Sequence, residues 1–313
     1  MIRIDSGEPV PEHLKGAIVA IGNFDGVHLG HQAVIGEAVR WARAEGRPAA
    51  VATFDPHPRR LFVPDSPWFR LTSLEQRAEL IAGLGVDALH VIAFRAEVAA
   101  MTSREWVERA LRDRFGAAGV VTGEDFTFGK NRSGSIADLA AIGAEYGIGA
   151  RAVGAVLDEG RPVSSTRIRE ALQAGDCATA ARLLTRPFAI RGTVQHGDKL
   201  GRTIGFPTAN LSLDNYLRPR YGIYAVKGRL PDGNVYPGAA NLGVRPSFDP
   251  PKELLEPYFF GWSGDLYGQE IEVELHHFLR PEEKYDGIEE LTAAIAADCE
   301  RAKELLGGER PFS

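Results

Sequence analysis

Short apolar runs alternate with amphipathic segments along the first half of the chain. The apolar runs have the length of buried strands and lie at 17–21, 49–54, 88–94, 119–123 and 149–156. Segments with helical spacing of apolar residues lie between them, at 34–45, 73–84, 103–115 and 135–146. Strands that alternate with helices form parallel sheets, because each connection must cross over the sheet. The pattern therefore predicts an α/β domain.

The pattern changes in the second half. After two further predicted helices at 164–174 and 177–184, strand-like runs follow one another without helices until Ile288–Leu306. These runs begin at Phe188, Gly222, Asn234 and Glu270 and are separated by Gly, Pro and Asp clusters. We predict an antiparallel β-barrel closed by a C-terminal helix. The change of pattern sets the predicted domains at 1–185 and 186–313.

Composition narrows the class of protein. Of 313 residues, 44% are apolar and the net charge is −6, so neither global disorder nor a chain-wide basic surface is expected. We therefore expect no nucleic acid or membrane as a partner. The two cysteines, Cys177 and Cys299, form no CxxC pair, and no run of 18 apolar residues occurs. These features predict a cytoplasmic protein without disulfides or a thiolate zinc site.

The most distinctive segment is GNFDGVHLGH, at 22–31, where the first strand passes into the first helix. Glycines allow close approach of the backbone to a phosphate, and a helix N-terminus favours an anion. If His28 and His31 both lie in the opening turn, their imidazoles share a face and can donate to phosphate oxygens. The spacing differs from that of a zinc protease. Alone, the segment could also be a capping turn.

The whole segment resembles the GxFDxxHxGH signature of the nucleotidyltransferase superfamily. Together with TFDPHP (53–58), GEDFTFGKNRSG (123–134) and SSTRIR (164–169), it makes residues 16–185 similar to the FMN adenylyltransferase module of bacterial bifunctional riboflavin kinase/FAD synthetases. The resemblance implies a Rossmann-like parallel-sheet domain. It also implies transfer of AMP from ATP to FMN, which gives FAD and pyrophosphate.

The resemblance also implies roles for individual residues. His28, His31 and Arg167 are the predicted catalytic residues, and Arg167 is the first choice for holding the departing phosphates. The predicted ATP-binding residues are Gly22, Asn23, Phe24, Asp25, Gly30, Ser164, Ser165, Thr166 and Arg169. The predicted flavin-binding residues are Asp55, His57, Asp125 and Phe126. Locally, Asp125 could equally cap a turn and Phe126 could belong to the core.

A second segment, GDKLGRTIGFPTANL at 197–211, lies in the predicted barrel. It is not a Walker A loop, because it lacks GxxxxGK[ST]. Gly201 and Gly205 could bring backbone amides to phosphates, and Thr208 and Asn210 offer the neutral oxygen ligands that suit Mg²⁺. Alone, PTAN could be a turn that leads into a strand.

The second half as a whole is similar to riboflavin kinases, over residues 186–306. The motifs that carry the resemblance are PTAN, GIYA (222–225), NLGVRPSF (241–248), DLYG (265–268) and FLRPEEKYDGIEEL (278–291). It implies phosphorylation of riboflavin by ATP. The residues implied are Gly197, Lys199, Gly201 and Gly205 for ATP, Arg245 for flavin, and Thr208 and Asn210 for Mg²⁺.

Transfer of phosphate to an alcohol requires a base beside the hydroxyl group. The family places a glutamate between the RPTF-like and DLYG motifs, and Glu256 in KELLEPYFF aligns best with it. Glu253 is the competitor. Tyr258 stands where the family commonly has histidine, and this departure leaves the choice between the two glutamates open.

The two resemblances together predict a bifunctional, Mg²⁺-dependent enzyme that converts riboflavin to FMN and then FMN to FAD. Riboflavin, FMN, FAD and ATP are the expected ligands. Two alternatives remain: a chain with only one active module, and a non-catalytic protein that senses flavin or nucleotide. Self-association is possible, but no pattern in the sequence marks an interface.

Overall fold

The structure is a computed structural model that describes residues 1–196, 205–245 and 252–308. Contacts divide the chain into two compact units. The first comprises residues 1–67 and 74–164, and the second comprises residues 68–73 and 165–313.

The first unit alternates strands and helices, as the apolar pattern predicts. Its elements are β1 (Ile2–Asp5), β2 (Ile18–Ile21), α1 (Leu29–Ala44), β3 (Ala49–Phe54), α2 (Pro58–Phe62), α3 (Leu74–Ala82), β4 (Ala88–Ile92), α4 (Ala96–Ala100), α5 (Ser103–Trp106), β5 (Gly119–Gly123), α6 (Ile136–Ala144), β6 (Gly149–Val153), β7 (Leu157–Asp158) and β8 (Arg161–Pro162). Strands β7 and β8 form a small antiparallel hairpin.

The main sheet of this unit has six parallel strands in the order β1-β4-β3-β2-β5-β6. Every residue of β2, β3 and β4 is buried. Strands covered on both faces are continuously apolar, which explains why these three were recognisable from the sequence. Apolar clusters cover the two faces of the sheet. The predicted Rossmann-like parallel sheet is confirmed.

Two glycines determine how α1 packs on the sheet. Gly119 begins β5 and Gly149 begins β6, and a Cβ atom on either would lie 2.4 Å or 2.9 Å from the indole of Trp41. The guanidinium group of Arg151 covers the outer face of the same ring, 4.0 Å from its centre. The indole therefore occupies space that exists only because both strands begin with glycine.

The segment predicted as one helix at 103–115 has two parts. Thr102 caps α5 through a capping box with Glu105, and the helix then continues with π-type hydrogen bonding over Val107–Phe115. Gly116, in the left-handed conformation, ends it. Strand β1 was not predicted, because its four residues lie at the edge of the sheet and two of them are charged.

The second unit begins with two helices and continues as a barrel. Its elements are α7 (Ser165–Ala174), α8 (Cys177–Leu184), β9 (Phe188–Thr193), β10 (Leu211–Ser212), β11 (Gly222–Arg229), β12 (Val235–Arg245), β13 (Lys252–Phe259), β14 (Glu270–Arg280) and α9 (Ile288–Gly307). The sheet is antiparallel, in the order β10-β13-β12-β11-β14-β9.

An isolated bridge between described residues brings the two ends of the barrel sheet together, so the barrel is nearly closed. The Gln195 N–H, just beyond β9, donates to the Asn210 carbonyl, just before β10, at 2.8 Å. Helix α9 packs on β11, β12 and β14 and buries Cys299, Ala302 and Leu306. The predicted antiparallel barrel with a C-terminal helix is confirmed.

Helices α7 and α8 belong to the second unit by their contacts. The Arg220 N–H donates to the Leu172 carbonyl at 3.0 Å, and a Cβ atom on Gly175 would lie 3.1 Å from the Phe278 ring. The contact boundary therefore precedes α7, whereas the sequence pattern sets the domain boundary at 185. That boundary stays a prediction.

Both cysteines are buried in the second unit. Burial raises the pKa of Cys177 to about 12 and that of Cys299 to about 11. Both side chains are therefore protonated thiols at neutral pH. Among the ranges that the structure describes, no helix combines the length and hydropathy that a membrane crossing requires.

Candidate active sites

The first candidate site lies at the carboxyl ends of β2 and β5. Strand β2 has β3 as its neighbour on one side and β5 on the other, so the strand order reverses its direction at β2. Open α/β sheets bind ligands in the crevice at such a switch point. The segments 22–31 and 123–134 follow these two strands. The structure thus brings two of the sequence-predicted segments to the same edge of the sheet.

The loop after β2 has an unusual backbone. Phe24 and Val27 have φ angles of 49° and 43°, in the left-handed region, and Gly26 has φ of 88°. This conformation is costly for a β-branched residue such as valine, and it persists only where the surroundings determine it. The buried Phe24 ring and a hydrogen bond from Gln32 Nε2 to the Val27 carbonyl, at 2.9 Å, hold the loop.

The two predicted catalytic histidines stand side by side at the start of α1. Their rings stack with centres 3.6 Å apart and an angle of 18° between planes. His28 is the N-cap, and its Nδ1 accepts the backbone N–H of His31 at 3.3 Å. Because Nδ1 is an acceptor, the ring proton of a neutral His28 lies on Nε2. The cap therefore makes Nε2 a hydrogen-bond donor.

The other predicted residues of this loop support its shape. Asp25 is buried, and the Phe24 ring meets the His31 ring edge-on at 5.3 Å. A Cβ atom on Gly22 would lie 3.1 Å from the Phe24 ring, and one on Gly30 would lie 3.2 Å from the His28 ring. The glycines thus allow the aromatic rings and the imidazoles to pack closely.

A buried arginine that was not predicted is connected to the loop after β2 by hydrogen bonds. Arg77 of α3 is 1% exposed and donates through Nη1 to Thr53 Oγ1 at 3.1 Å. The Thr53 hydroxyl in turn donates to the Asn23 carbonyl at 2.9 Å. Arg77 is therefore connected to the loop through one hydroxyl. Its sequence context is that of an ordinary helix, so no local signal marks it.

Asp55 and His57 follow β3, and both are partly buried. His57 caps α2 by accepting the Arg59 N–H at its Nδ1, at 3.1 Å. Beside them, Phe94 contacts both Phe54 and Phe62 edge-on, at 5.6 Å and 6.1 Å. These phenylalanines were not predicted as site residues. Phe62 lies on a short helix and is 67% exposed, which is unusual for a large aromatic side chain. Only the structure shows this exposure.

Asp125 and Phe126 follow β5. Asp125 is exposed, and Phe126 stacks on Phe128 with ring centres 5.9 Å apart. Phe126 also packs against the apolar core. The alternative role for Phe126, as a core residue, is therefore supported in part, since the ring is only partly buried.

Ser164 of the SSTRIR segment is the last residue of the first unit, and residues 165–169 form the beginning of α7 in the second unit. Ser164 and Ser165 are partly buried, Thr166 is exposed, and Arg167 is buried. Arg169 donates through Nε to the Phe69 carbonyl at 2.8 Å and covers the Phe69 ring. Part of the hydrogen-bonding capacity of Arg169 is thus used inside its own unit.

The second candidate site lies in the barrel, where the PTAN segment runs beside β13. The Ala209 N–H donates to the Pro257 carbonyl at 3.0 Å, and Leu211 pairs with Leu255. Continuing this register by one residue places Asn210 opposite Glu256. On the other side of β13, Glu256 pairs with Asn241 of β12. Directly opposed side chains lie on the same face of a sheet, so Asn210, Glu256 and Asn241 form a polar row.

Glu253 has a different environment. Its carboxylate accepts from Nε and Nη2 of Arg218, at 2.8 Å and 2.6 Å, and from the Tyr221 hydroxyl. The Arg218 hydrogen bonds lower the pKa of Glu253, against the effect of burial. Because Glu253 and Glu256 are an odd number of residues apart, they point to opposite faces of a regular strand. These observations favour Glu256 over Glu253 as the kinase base.

Tyr258 occupies the position where a histidine was expected. It lies two residues after Glu256, and its ring meets those of Phe206 and Phe260 edge-on, at 5.4 Å and 5.8 Å. This aromatic group packs against the Cys299–Leu306 side of α9. Tyr258 therefore links the PTAN segment to the face of β13 that carries Glu256.

The predicted Mg²⁺ ligands fit a hard cation by their chemistry. Asn210 is 7% exposed and Thr208 is partly buried, and both carry neutral oxygen atoms. Within the described ranges, no group of three or more His, Cys, Asp or Glu residues could hold a metal ion. Gly197, Lys199 and Gly201 lie outside the described residues. Gly205 is exposed with φ of 87°, and Arg245 ends β12.

Family models assign the two halves of the chain. Residues 10–167 match the FAD synthetase model, and residues 184–306 match the riboflavin kinase model. The class of protein is therefore a two-part enzyme of flavin nucleotide synthesis, with a parallel-sheet nucleotidyltransferase joined to a barrel kinase.

Relatives match over nearly the whole length. Proteins described as bifunctional riboflavin kinase/FMN adenylyltransferase are 40% identical in Pseudomonas fluorescens (94% of each chain), 37% in Escherichia coli K12 (95% of each) and 38% in Bacillus subtilis (94% and 93%). The chain belongs to the family of bifunctional riboflavin kinases/FMN adenylyltransferases. A crystal structure from Streptococcus pneumoniae, described as a macrolide-efflux protein, is also similar. Its TM-score is 0.87 at 30% identity, over 99% of this chain and 100% of that one.

Proposed function

We propose that the chain phosphorylates riboflavin to FMN in the barrel and adenylylates FMN to FAD in the parallel-sheet unit, with ATP as co-substrate of both reactions. The observation that carries the proposal is that each of the two regions matched by a family model contains its own group of polar residues suited to the reaction. The stacked histidines lie at the switch point of the first unit, and Glu256 lies beside PTAN in the barrel.

In the barrel, Glu256 accepts the proton of the primary hydroxyl of riboflavin as that oxygen attacks the γ-phosphorus of ATP. The bond from phosphorus to the bridging oxygen breaks, and ADP leaves with the electron pair. Thr208 and Asn210 are the residues that would hold Mg²⁺, which when bound would neutralise charge on the triphosphate. Gly197, Lys199, Gly201 and Gly205 are the proposed contacts to ATP, and Arg245 is the proposed contact to flavin.

In the first unit, a phosphate oxygen of FMN attacks the α-phosphorus of ATP, and pyrophosphate leaves. No covalent enzyme intermediate is needed, so catalysis depends on alignment and on stabilising charge at phosphorus. His28 and His31 donate hydrogen bonds to the α-phosphate at the N-terminus of α1, where the helix dipole also favours an anion. The family resemblance implies that Arg167 and Arg169, with Ser164, Ser165 and Thr166, contact the departing pyrophosphate, and these roles stay predictions.

The flavin of the adenylylation reaction is proposed to lie against the residues after β3 and β5. Asp55 and His57 follow β3, and Asp125 and Phe126 follow β5. The exposed Phe62 adds an aromatic surface beside Phe94 that suits a flat, largely apolar ring system.

The test is incubation of the purified chain with riboflavin, MgCl₂ and ATP, followed by chromatographic separation of FMN and FAD. ADP and pyrophosphate are measured in parallel, because each reports one reaction only. Formation of FAD with both by-products supports the bifunctional proposal. ADP without pyrophosphate would leave the kinase as the one active module, and a second incubation with FMN in place of riboflavin tests the adenylyltransferase by itself through pyrophosphate release. Flavin binding without either by-product would support a sensor instead.

Because riboflavin kinase and FAD synthetase act on soluble flavins and ATP, we propose a cytoplasmic location. Self-association stays a prediction, and light scattering of the purified chain at several concentrations would test it.

A further inference from the structure

We propose that Asn241 contacts the flavin substrate of the kinase and that Glu282 is the residue that orients it. The Asn241 Oδ1 accepts a hydrogen bond from a secondary hydroxyl of the flavin side chain, whose terminal hydroxyl gives its proton to Glu256. The inference deepens the proposed kinase function and rests on it.

The orientation of the Asn241 amide follows from its partner. Asn241 Nδ2 donates to Glu282 Oε1 at 3.1 Å. An ionised carboxylate can only accept hydrogen bonds, so the nitrogen of the amide, and not its oxygen, must face Glu282. Glu282 thereby fixes which side of Asn241 is the acceptor, and Oδ1 points away from the carboxylate.

The Asn241 Oδ1 is buried, and within the described ranges it has no hydrogen-bond partner. A buried acceptor without a donor loses its hydrogen bonds to water and gains none in return, so natural structures rarely contain one without a reason. A donor on a bound substrate would remove this cost at the moment of binding. The acceptor then contributes to recognition of a hydroxyl group.

The position of Asn241 determines which hydroxyl it can reach. Asn241 pairs directly with Glu256 on the neighbouring strand, and opposed Cβ atoms in a sheet are about 4.5–5.5 Å apart. The hydroxyl of riboflavin that is phosphorylated ends a polyol chain, in which the adjacent carbons also carry hydroxyls. When the terminal hydroxyl meets Glu256, a secondary hydroxyl is within reach of Asn241.

A glycine makes room for the Glu282 carboxylate. A Cβ atom on Gly243 would lie 2.2–2.6 Å from the carboxylate atoms of Glu282, and these are the nearest atoms to that position. The clash would be with the end of a flexible side chain and not with backbone. Gly243→Ala should therefore expel the carboxylate from its place beside Asn241 and leave β12 folded.

Three variants of the full chain test the proposal: Asn241→Ala, Glu282→Ala and Gly243→Ala. Production of ADP from riboflavin and ATP measures the kinase alone. Loss of one hydrogen bond corresponds to about a tenfold change, so we expect each variant to lower kcat/KM for riboflavin about tenfold and to leave KM for ATP unchanged. Glu283→Ala is the matched control, because Glu283 is the adjacent glutamate and bonds to Tyr285 instead.

A flavin analogue separates recognition from a structural effect. The analogue carries a 5-hydroxypentyl chain, which keeps the terminal hydroxyl and lacks the secondary ones. We expect the wild type to prefer riboflavin about tenfold, and each of the three variants to use the two flavins equally well. A variant that loses the same factor on both flavins, or a wild type without a preference, would overturn the role of Asn241.

The failure of this inference can be distinguished from failure of the proposed function. Glu256→Gln, assayed in the same way, should lose ADP formation. If Glu256→Gln remains active, the assignment of the kinase base is wrong. If Glu256→Gln is inactive but Glu282→Ala and Gly243→Ala keep the preference for riboflavin, only the inference about Asn241 and Glu282 is wrong.

Discussion

His28 caps the helix on which His31 stands, and the same contact stacks the two imidazoles 3.6 Å apart. One ring therefore has two functions. Its Nδ1 satisfies a backbone donor at the start of α1, and its Nε2 is the atom that we propose donates to the α-phosphate. This division makes the two functions separable by substitution.

His28→Asn should keep the cap and lose the donor. Asparagine is a strong N-cap residue, so we expect the thermal stability to stay close to that of the wild type. Loss of one donor to a transition-state oxyanion costs about 10²–10³ in rate, and we expect that loss in pyrophosphate release from FMN and ATP. ADP formation from riboflavin should stay within about twofold.

His31→Ala should produce the same selective loss. His13→Ala, at an exposed position, is the matched control. Equal loss of both activities in His31→Ala would contradict the assignment of the histidines to adenylyl transfer.

Glu256→Gln and Glu253→Gln distinguish the two candidate bases of the kinase. We expect Glu256→Gln to lower ADP formation by about 10²–10⁴, because it removes the proton acceptor. Glu253→Gln should leave the kinase active and lower stability by only about 1 kcal/mol, since it weakens a partly exposed pair with Arg218. A kinase that tolerates Glu256→Gln but not Glu253→Gln would show that the base lies on the other face of β13.

The stability of the first unit should fall as the solution becomes mildly acidic. Burial, with a contribution from Arg114, lowers the pKa of His90 from 6.5 to about 4. Between these values the unfolded chain takes up a proton that the folded chain does not bind. Stability should therefore decrease from pH 6.5 towards pH 4, by about 2–3 kcal/mol in total.

Urea unfolding at pH 7, 6, 5 and 4 measures this dependence. In His90→Phe, which can keep the stack on Phe115, the decrease should be smaller by that amount. His13→Phe serves as the control. If His90→Phe follows the wild-type dependence on pH, the effect comes from other groups.

A kinase fragment that begins before α7 should be more stable than one that begins at residue 186. Helix α8 buries Cys177, Leu183 and Leu184 among other apolar residues, and each leucine contributes about 1.5–3 kcal/mol when fully buried. We expect fragment 165–313 to unfold at a higher urea concentration than fragment 186–313, and to phosphorylate riboflavin. Equal midpoints would show that α7 and α8 contribute nothing to the barrel.

The fold was largely predictable because its central strands are continuously apolar and its helices are amphipathic. Strand β3 and helix α8 have the predicted bounds. The exceptions have physical reasons. Strand β1 is short and lies at the edge of the sheet, where burial imposes no pattern. The π-type hydrogen bonding after α5 hardly alters the spacing of apolar residues, so the sequence does not reveal it.

The candidate sites were predictable where a motif is local. The sequence indicated the pair His28 and His31, because the cap and the first turn are neighbours in the chain. It could not indicate Arg77 of α3, because Arg77 is connected to Asn23 through the hydroxyl of Thr53, on β3. The choice between Glu253 and Glu256 also needed the structure, because only strand pairing shows which of them shares a row with Asn210.

The packing of Trp41 against Gly119 and Gly149 affects a distant part of the first unit. Trp41 lies near the end of α1 and His31 near its beginning, about 15 Å apart at the rise of an α-helix. A helix is stiff over this length. The distance between the Trp41 indole and the sheet therefore also affects the distance of the two histidines from the ends of β2 and β5. A methyl group added at position 119 would push Trp41 away from the sheet and would thereby tilt the whole of α1. The position of the proposed phosphate site would thus depend on the absence of side chains at Gly119 and Gly149.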